Sequence, residues 1–270
     1  MRLVHTLMVT AISLAHANFV VAQTPTSWNA AKNSADDHVY YDHRMTFYCG
    51  CPFVSDEDDD GSGDVDPAAC GLTPLEERPR TVNWIEWEHI VPASLMPARR
   101  FSCWTEPQQF ETCIANDGDV MSGRACCERV SSTAQAMIFD LHNLAPSVGQ
   151  LNQYRSNDRY GEVEDNYVSW IGCPARDQNG TRPDFSGQAR FEPPDCVKGD
   201  VARVWQYMHD MHGVGIDDQE YQMFESWSAR DPVTSWEQER DRRIDAVQGN
   251  SNAYVSRATA CAGTDCCSVF

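Results

Sequence analysis

The chain has 270 residues, 41% hydrophobic and 23% charged, with a formal net charge of −19. This is a globular composition, long enough for one substantial domain with its own core, and it excludes a disordered chain. The charge excludes a generally basic nucleic-acid binder and disfavours an anionic membrane surface, but it leaves room for a local basic patch or a metal-bridged phosphate site.

Residues 1–22 carry Arg2, a mostly apolar run interrupted by His5, Thr6, His16 and Asn18, and small residues up to Ala22. They read as a secretory signal, which leaves 23–270 as one domain. A single membrane anchor is the alternative; the run is short for one and has no basic stop. Residues 24–45 read as a polar helix or loop, "T-F-Y-C-G-C-P-F" (46–53) as a strand, and 55–66 as a hairpin or long loop. "T-V-N-W-I-E-W-E-H-I-V" (81–91) reads as a strand ended by Pro92. Residues 95–135 are cysteine-rich and irregular, 137–146 lead into a helix around "V-G-Q-L-N-Q-Y-R-S-N", and 172–199 read as a long surface loop. The last third is helical. Val201, Val204, Trp205, Met208 and Met211 fall at helical spacing before Gly213; Tyr221, Phe224 and Trp227 follow Asp217 as N-cap with Glu220 completing a capping box; Trp236, Ile244 and Val247 precede Gly249. The fold class is α+β, a mixed single domain with a helical C-terminal third.

Twelve cysteines behind a signal argue for disulfides formed in an oxidising compartment. One C-G-C and two C-C pairs lack the C-x-x-C knuckles of a structural zinc site. Cys126 and Cys127 are expected to staple two different partners, and the local pairings are Cys51–Cys70 and Cys103–Cys113.

Chemistry concentrates in "E-W-E-H-I-V-P-A" (86–93). Strand alternation sends Glu88 and His89 to opposite faces, but a strand end before Pro92 relaxes that. Both can then serve one site: the carboxylate binds a hard divalent cation and the neutral imidazole accepts a proton from water. In "F-D-L-H-N-L-A-P", Asn143 offers an amide oxygen suited to Mg²⁺. One Glu and one Asn form a sparse shell that leaves positions for water and phosphate oxygens. A structural polar cluster is the alternative reading of the same three residues.

These stretches, with "F-Y-C-G-C" (47–51), "D-L-H-N-L-A-P-S-V-G" (140–149), "N-Q-Y-R-S-N" (152–157), "F-E-P-P" (191–194) and "P-V-T-S-W-E-Q-E-R-D-R-R-I-D-A-V-Q-G-N" (232–250), resemble the bacterial endonuclease I family. These are periplasmic and secreted non-specific nucleases of the ββα-metal, or His-Me finger, type. The resemblance implies that Glu88 and Asn143 hold Mg²⁺, with Mn²⁺ as a substitute, and that His89 is the general base. It implies hydrolysis of double- and single-stranded DNA, and of RNA, to 5′-phosphate ends by a monomer with no membrane partner.

Three departures bear on this. The family places an arginine against the scissile phosphate, yet Cys103 to Cys113 contains none; Arg99, Arg100, Arg124 and Arg129 are substitutes, with Arg100 favoured as catalytic and Arg99 and Arg155 as substrate-binding. Gln150 stands where the family has Glu, and Gln238 where it has a cysteine.

An acidic body repels a polyanion at low ionic strength, so activity is expected to rise with salt, as in a marine or halophilic organism. Asp56, Asp58, Asp60, Ser62 and Asp64 match the start of a Ca²⁺ loop, but Pro67 stands at position 12; a candidate structural Ca²⁺ site and a solvated acidic loop both stay open. Two rival classes remain: a Ca²⁺-dependent adhesion module, and a zinc-bound relative of the finger using His142.

Overall fold

The computed structural model describes residues 24–56, 61–178 and 189–261; the signal segment 1–22 lies outside them. Helix α1 (Trp28–Ser34) starts where Ser27 Oγ accepts the Ala30 amide, and Ala35–Val39 continues it as a wider turn closed by Tyr40 N–H on Ala35 O at 2.9 Å. Ala31, Ala35 and Val39, four residues apart, form its buried stripe. Thr46 to Gly50 is a turn rather than the expected strand: Gly50 N–H bonds Thr46 O at 2.9 Å, and Gly50 takes a left-handed φ of 58°. Only β1 (Phe53–Ser55) is extended. It pairs antiparallel with β2 (Gly63–Val65), forming the expected hairpin.

The centre of the molecule is β3 (Ile85–His89) antiparallel to β4 (Leu144–Val148), with Glu88 opposite Ala145 and His89 opposite Leu144. All five residues of β4 are buried, so its sequence shows no alternation and did not read as a strand. Between these strands, residues 95–135 are more regular than expected. They contain α2 (Ser102–Thr105), α3 (Gly123–Val130) and the start of α4 (Ser132–Ile138), the last two N-capped by Ser122 and Ser131.

Helix α5 (Gly149–Arg155) follows β4 directly. A Cβ at Gly149 would lie 2.8 Å from Thr81 O and from the Trp84 indole nitrogen, so only glycine lets α5 start this close to the chain entering β3.

Beyond α5, β5 (Arg159–Tyr160), β6 (Val168–Trp170), β7 (Cys173–Asp177) and β8 (Arg190–Glu192) form a sheet of order β5-β8-β7-β6, parallel only between β5 and β8. The stretch expected as a surface loop therefore contributes two strands and the start of α6. Helices α6 (Asp195–His212), α7 (Asp218–Arg230), α8 (Ser235–Gln248) and α9 (Ala253–Ser256) complete the chain. The Asp217–Glu220 capping box and the left-handed glycines at 213 and 249 are present as expected. Trp205, Phe224, Trp227 and Ile244 are fully buried, whereas Met211 and Tyr221 at the helix ends are exposed. No helix among the described residues is long and apolar enough to cross a membrane.

Four disulfides lie within the described residues: Cys49–Cys173, Cys51–Cys70, Cys103–Cys127 and Cys113–Cys126. The last two replace the expected Cys103–Cys113. Successive residues on a helix point roughly 100° apart, so neighbouring cysteines on α3 reach two different segments. Cys196 and Cys261 are also disulfide-bonded. Replacing Cys103 and Cys127 by serine opens a staple of sequence separation 24. We expect a stability loss of about 3 kcal/mol, which for a chain of this size lowers Tm by roughly 6–12 °C in a thermal melt. Peptide mapping under non-reducing conditions should recover Cys103 joined to Cys127, not to Cys113.

Candidate active site

Glu86 and Glu88 sit two apart on β3 and share a face. His89 is the last residue of the strand, and the backbone then turns toward Pro92. That strand end brings His89 and Glu88 into one cleft of about 760 Å³, whose wall also includes Trp28, Glu86, Arg124 and Asn152.

The Glu88 carboxylate is 2% exposed. Its Oε1 accepts Tyr48 O–H at 2.7 Å and Arg155 Nη1 at 3.0 Å, which leaves Oε2 for a ligand. Burial raises its pKa to about 7, opposed by the Arg155 charge and the Tyr48 hydrogen bond. Tyr160 O–H in turn donates to Tyr48, because Tyr48 spends its own hydrogen on the carboxylate.

Arg155, the last residue of α5, also donates to the carbonyls of His89 at 2.7 Å and of Ile90. It is buried, with its guanidinium 4.8 Å from the Tyr160 ring centroid. Arg155, expected to bind substrate, lines the cleft, but its Nη1 and Nη2 already hold Glu88 and the carbonyls of His89 and Ile90 and so tie α5 to the end of β3.

His89 Nε2 lies 2.7 Å from Ile138 O. A carbonyl only accepts, so Nε2 carries the hydrogen and Nδ1 keeps the lone pair. Trp28 stacks on the ring with centroids 5.0 Å apart and planes 16° apart. Burial, and then the nearby Arg124 charge, lower the His89 pKa to about 3, so the imidazole is neutral at physiological pH.

Asn143 does not reach the cleft. Its Oδ1 accepts Val91 N–H at 2.7 Å, its Nδ2 donates to Val91 O at 3.0 Å, and it is wholly buried. Both ends of the amide are spent on the backbone leaving β3, which corrects its expected role as a metal ligand. Two asparagines line the cleft instead: Asn152 on α5, whose Nδ2 donates to Glu86 Oε2 at 2.7 Å, and Asn157, whose Oδ1 accepts from Ser94 Oγ at 3.1 Å. The sequence did carry a signal for the first: Asn152 and Arg155 are three apart, hence on one face of a helix.

The arginines separate as clearly. Arg99 and Arg100 are exposed on a short turn (Pro97–Arg100) outside the cleft wall, with the Arg99 guanidinium 5.9 Å from the Trp104 ring. Arg129 donates to Thr112 O at 2.7 Å. Arg124 alone of these four lines the cleft, 5.5 Å from the Trp28 ring and bonded through Nε to Glu128. The choice of Arg100 as the catalytic arginine is thus corrected by position.

Gln150, fully buried, accepts from Leu75 N–H and the Trp170 indole, while its Nε2 faces the carbonyls of Leu75, Glu77 and Arg78. A glutamate there would have no hydrogen for those carbonyls, so the residue is a structural tie between α5 and residues 75–78. Gln238 ties α8 to Ala258 O at 2.7 Å. His142 faces away from the cleft, into a second cavity of about 260 Å³, with Nε2 donating to Asn250 O. Among the described residues, no group of three or more His, Cys, Asp or Glu side chains could hold a metal ion. In the acidic loop, Ser62 Oγ donates to Asp56 and Asp64 is exposed on β2, while Asp58 and Asp60 lie outside the described residues.

Known proteins resemble the chain over most of its length. The endonuclease I family model matches residues 22–259. The chain is 33% identical to an extracellular deoxyribonuclease of Aeromonas hydrophila, covering 86% of this chain and 89% of that protein. It is 32% identical to a periplasmic deoxyribonuclease of Aeromonas hydrophila, covering 81% of each. It is 30% identical to Endonuclease-1 of Buchnera aphidicola, covering 78% of this chain and 73% of that protein. With the match covering most of the chain and the relatives named as deoxyribonucleases and an endonuclease, the chain belongs to the endonuclease I family as one of its nucleases.

Proposed function

We propose that the chain is a secreted endonuclease that hydrolyses phosphodiester bonds of DNA, double- or single-stranded, and of RNA, without base-sequence preference and leaving 5′-phosphate ends. The observation that carries this reading is the placement of Glu88 and the His89 Nδ1 lone pair in one cleft at a strand end. The signal-like segment 1–22 and the extracellular and periplasmic relatives support export. The antiparallel β3–β4 pair running straight into α5 supports reading these elements as the ββα-metal finger.

Glu88 Oε2 and the Asn152 amide oxygen are hard oxygen donors of the kind Mg²⁺ or Mn²⁺ accepts, and so sparse a protein shell leaves coordination positions for water and phosphate oxygens. When bound, such a cation neutralises charge developing on the scissile phosphate and the leaving 3′-oxygen. His89 Nδ1 takes the proton of the attacking water, and the Nε2–H bond to Ile138 O stabilises the imidazolium that forms. Trp28 holds the ring plane. Arg124 reaches from α3 to a phosphate oxygen of the substrate. Contacts to the backbone alone carry no base specificity.

A plasmid nicking assay tests the reaction. Excess EDTA should abolish nicking, and His89→Ala should lower it about 10²–10⁴-fold with the fold intact by circular dichroism. Nicking that survives both treatments would overturn the reading. Among the arginines, Arg124→Ala should lower kcat/KM about 10–100-fold, the worth of one charge-assisted hydrogen bond, while Arg100→Ala stays within about twofold.

Salt should stimulate the enzyme. Asp56 to Asp60 are five consecutive acidic residues, and Gly61 and Ser62, which follow them, line the cleft. Raising ionic strength from 0.1 M to 0.5 M shortens the Debye length from about 10 Å to roughly 4 Å, which screens this repulsion. Activity should climb over that range; a steady fall from low salt would show that a basic groove dominates instead.

A further inference from the structure

We infer that Glu86 is a positioning residue: it selects the orientation of the Asn152 amide, so that the amide oxygen rather than the amino group is presented to the cation beside Glu88. The inference rests on the proposed role of Glu88 and Asn152.

Glu86 receives three hydrogen-bond donors. Asn152 Nδ2 lies 2.7 Å from its Oε2, Gln153 Nε2 lies 2.6 Å from its Oε1, and the Trp84 indole N–H lies 3.4 Å from Oε1. No arginine or lysine pairs with it among the described residues. A second carboxylate, two positions from Glu88 on one strand face, adds repulsion to a site that already holds a buried charge. Such an arrangement needs a compensating role, and the chemistry of the contact supplies one. A primary amide has a donating end and an accepting end of nearly equal size, so packing alone distinguishes its two flips poorly. A carboxylate only accepts. Facing Glu86, the Asn152 side chain must turn its NH₂ toward it and its oxygen away. The flipped amide would set two acceptors against each other at Glu86 and aim N–H hydrogens at the cation. Gln153 and Trp84 hold the selecting carboxylate in place, and Gly149 seats α5 close enough for the contact. Outer partners of metal ligands that fix orientation in this way are typically worth about 10–100-fold in metal affinity.

The test is Mn²⁺ binding to the full mature chain by titration calorimetry, at constant pH and ionic strength, with a thermal melt beside it. Glu86→Gln keeps size and hydrogen bonding but can accept from either amide flip or donate to it, so it removes the selection while leaving a latch. The positioning role requires Mn²⁺ affinity to fall about tenfold or more with Tm nearly unchanged. An aspartate at 152 has oxygen at both ends and needs no selection. Glu86→Gln should therefore cost less than about threefold in an Asn152→Asp background, against about tenfold or more in the wild type, a coupling that neither a structural latch nor the added charge alone would produce. Two reference variants, the single Asn152→Asp and Asn152→Ala, separate the ligand assignment from the positioning role. If Asn152→Ala binds Mn²⁺ as well as the wild type, the ligand assignment itself fails. If Asn152→Ala weakens binding while Glu86→Gln does not, or if Glu86→Gln costs as much in the Asn152→Asp background as in the wild type, the ligand assignment stands and the positioning role is overturned.

Discussion

The structure of the site depends on one buried charge contact, Glu88 with Arg155. Both side chains are almost wholly withdrawn from water, at 2% and 1% exposure. Burying a carboxylate alone is unfavourable enough that it would take up a proton, and the rise of the Glu88 pKa to about 7 reports that tendency. Arg155 opposes it. The same guanidinium holds the carbonyls of His89 and Ile90, so it fixes the strand end while it pairs with the carboxylate. Removing one partner of a buried pair usually costs about 3–5 kcal/mol because the other charge is left uncompensated. The pairing thus joins α5 to β3 mechanically as well as electrostatically. On the proposed role of Glu88, a cation at Oε2 would meet a carboxylate already desolvated and held at one oxygen.

The second support comes from far along the chain. Tyr48 lies in a turn just before Cys49, bonded to Cys173 on β7, and Cys51, bonded to Cys70. Phe47 N–H docks the turn onto β4 by a 2.7 Å bond to Pro146 O. The Tyr160 to Tyr48 to Glu88 chain of hydroxyls therefore rests on two covalent staples and a strand edge. The two cysteines that follow the tyrosine belong to the support of the carboxylate rather than to generic stiffening of the chain.

What the sequence showed, and what it hid, follows from where each signal originates. The Glu88–His89 pair and its strand end were legible because Pro92 marks a break and two adjacent titratable residues stand out in an apolar run. The C-terminal helices were legible because capping residues and apolar spacing agree. Strand β4 was hidden because a strand buried on both faces has no alternation. The choice between Asn143 and Asn152 was hidden for a different reason. Both are asparagines within ten positions of each other, and their composition is the same. Only the fold shows that one amide closes on the Val91 backbone while the other faces the cleft. Likewise, nothing in the spacing of Arg100 and Arg124 tells which lines the cleft; the fold puts α3, stapled to Cys103 and Cys113, at its wall and leaves the turn of Arg100 outside.

The same logic explains how an acidic chain handles a polyanion. Its cationic groups near the phosphate path are few and placed. Arg124 sits beside Trp28, Lys32 is in the cleft wall, and Arg155 is spent on Glu88. Arg124 is itself shared with Glu128 on the next helical turn, a contact of about 0.5 kcal/mol that a phosphate can displace. On the proposed function, long-range attraction, which a basic groove would supply, would be replaced by short-range contacts that salt screens far less than it screens the body charge. Substrate capture is then governed by how closely the backbone can approach the cleft. In sequence the acidic run Asp56 to Asp60 directly precedes the cleft-lining Gly61 and Ser62, so on the proposed function its repulsion of a polyanion would be an ionic-strength-dependent barrier to entry, separate from the chemistry inside the cleft.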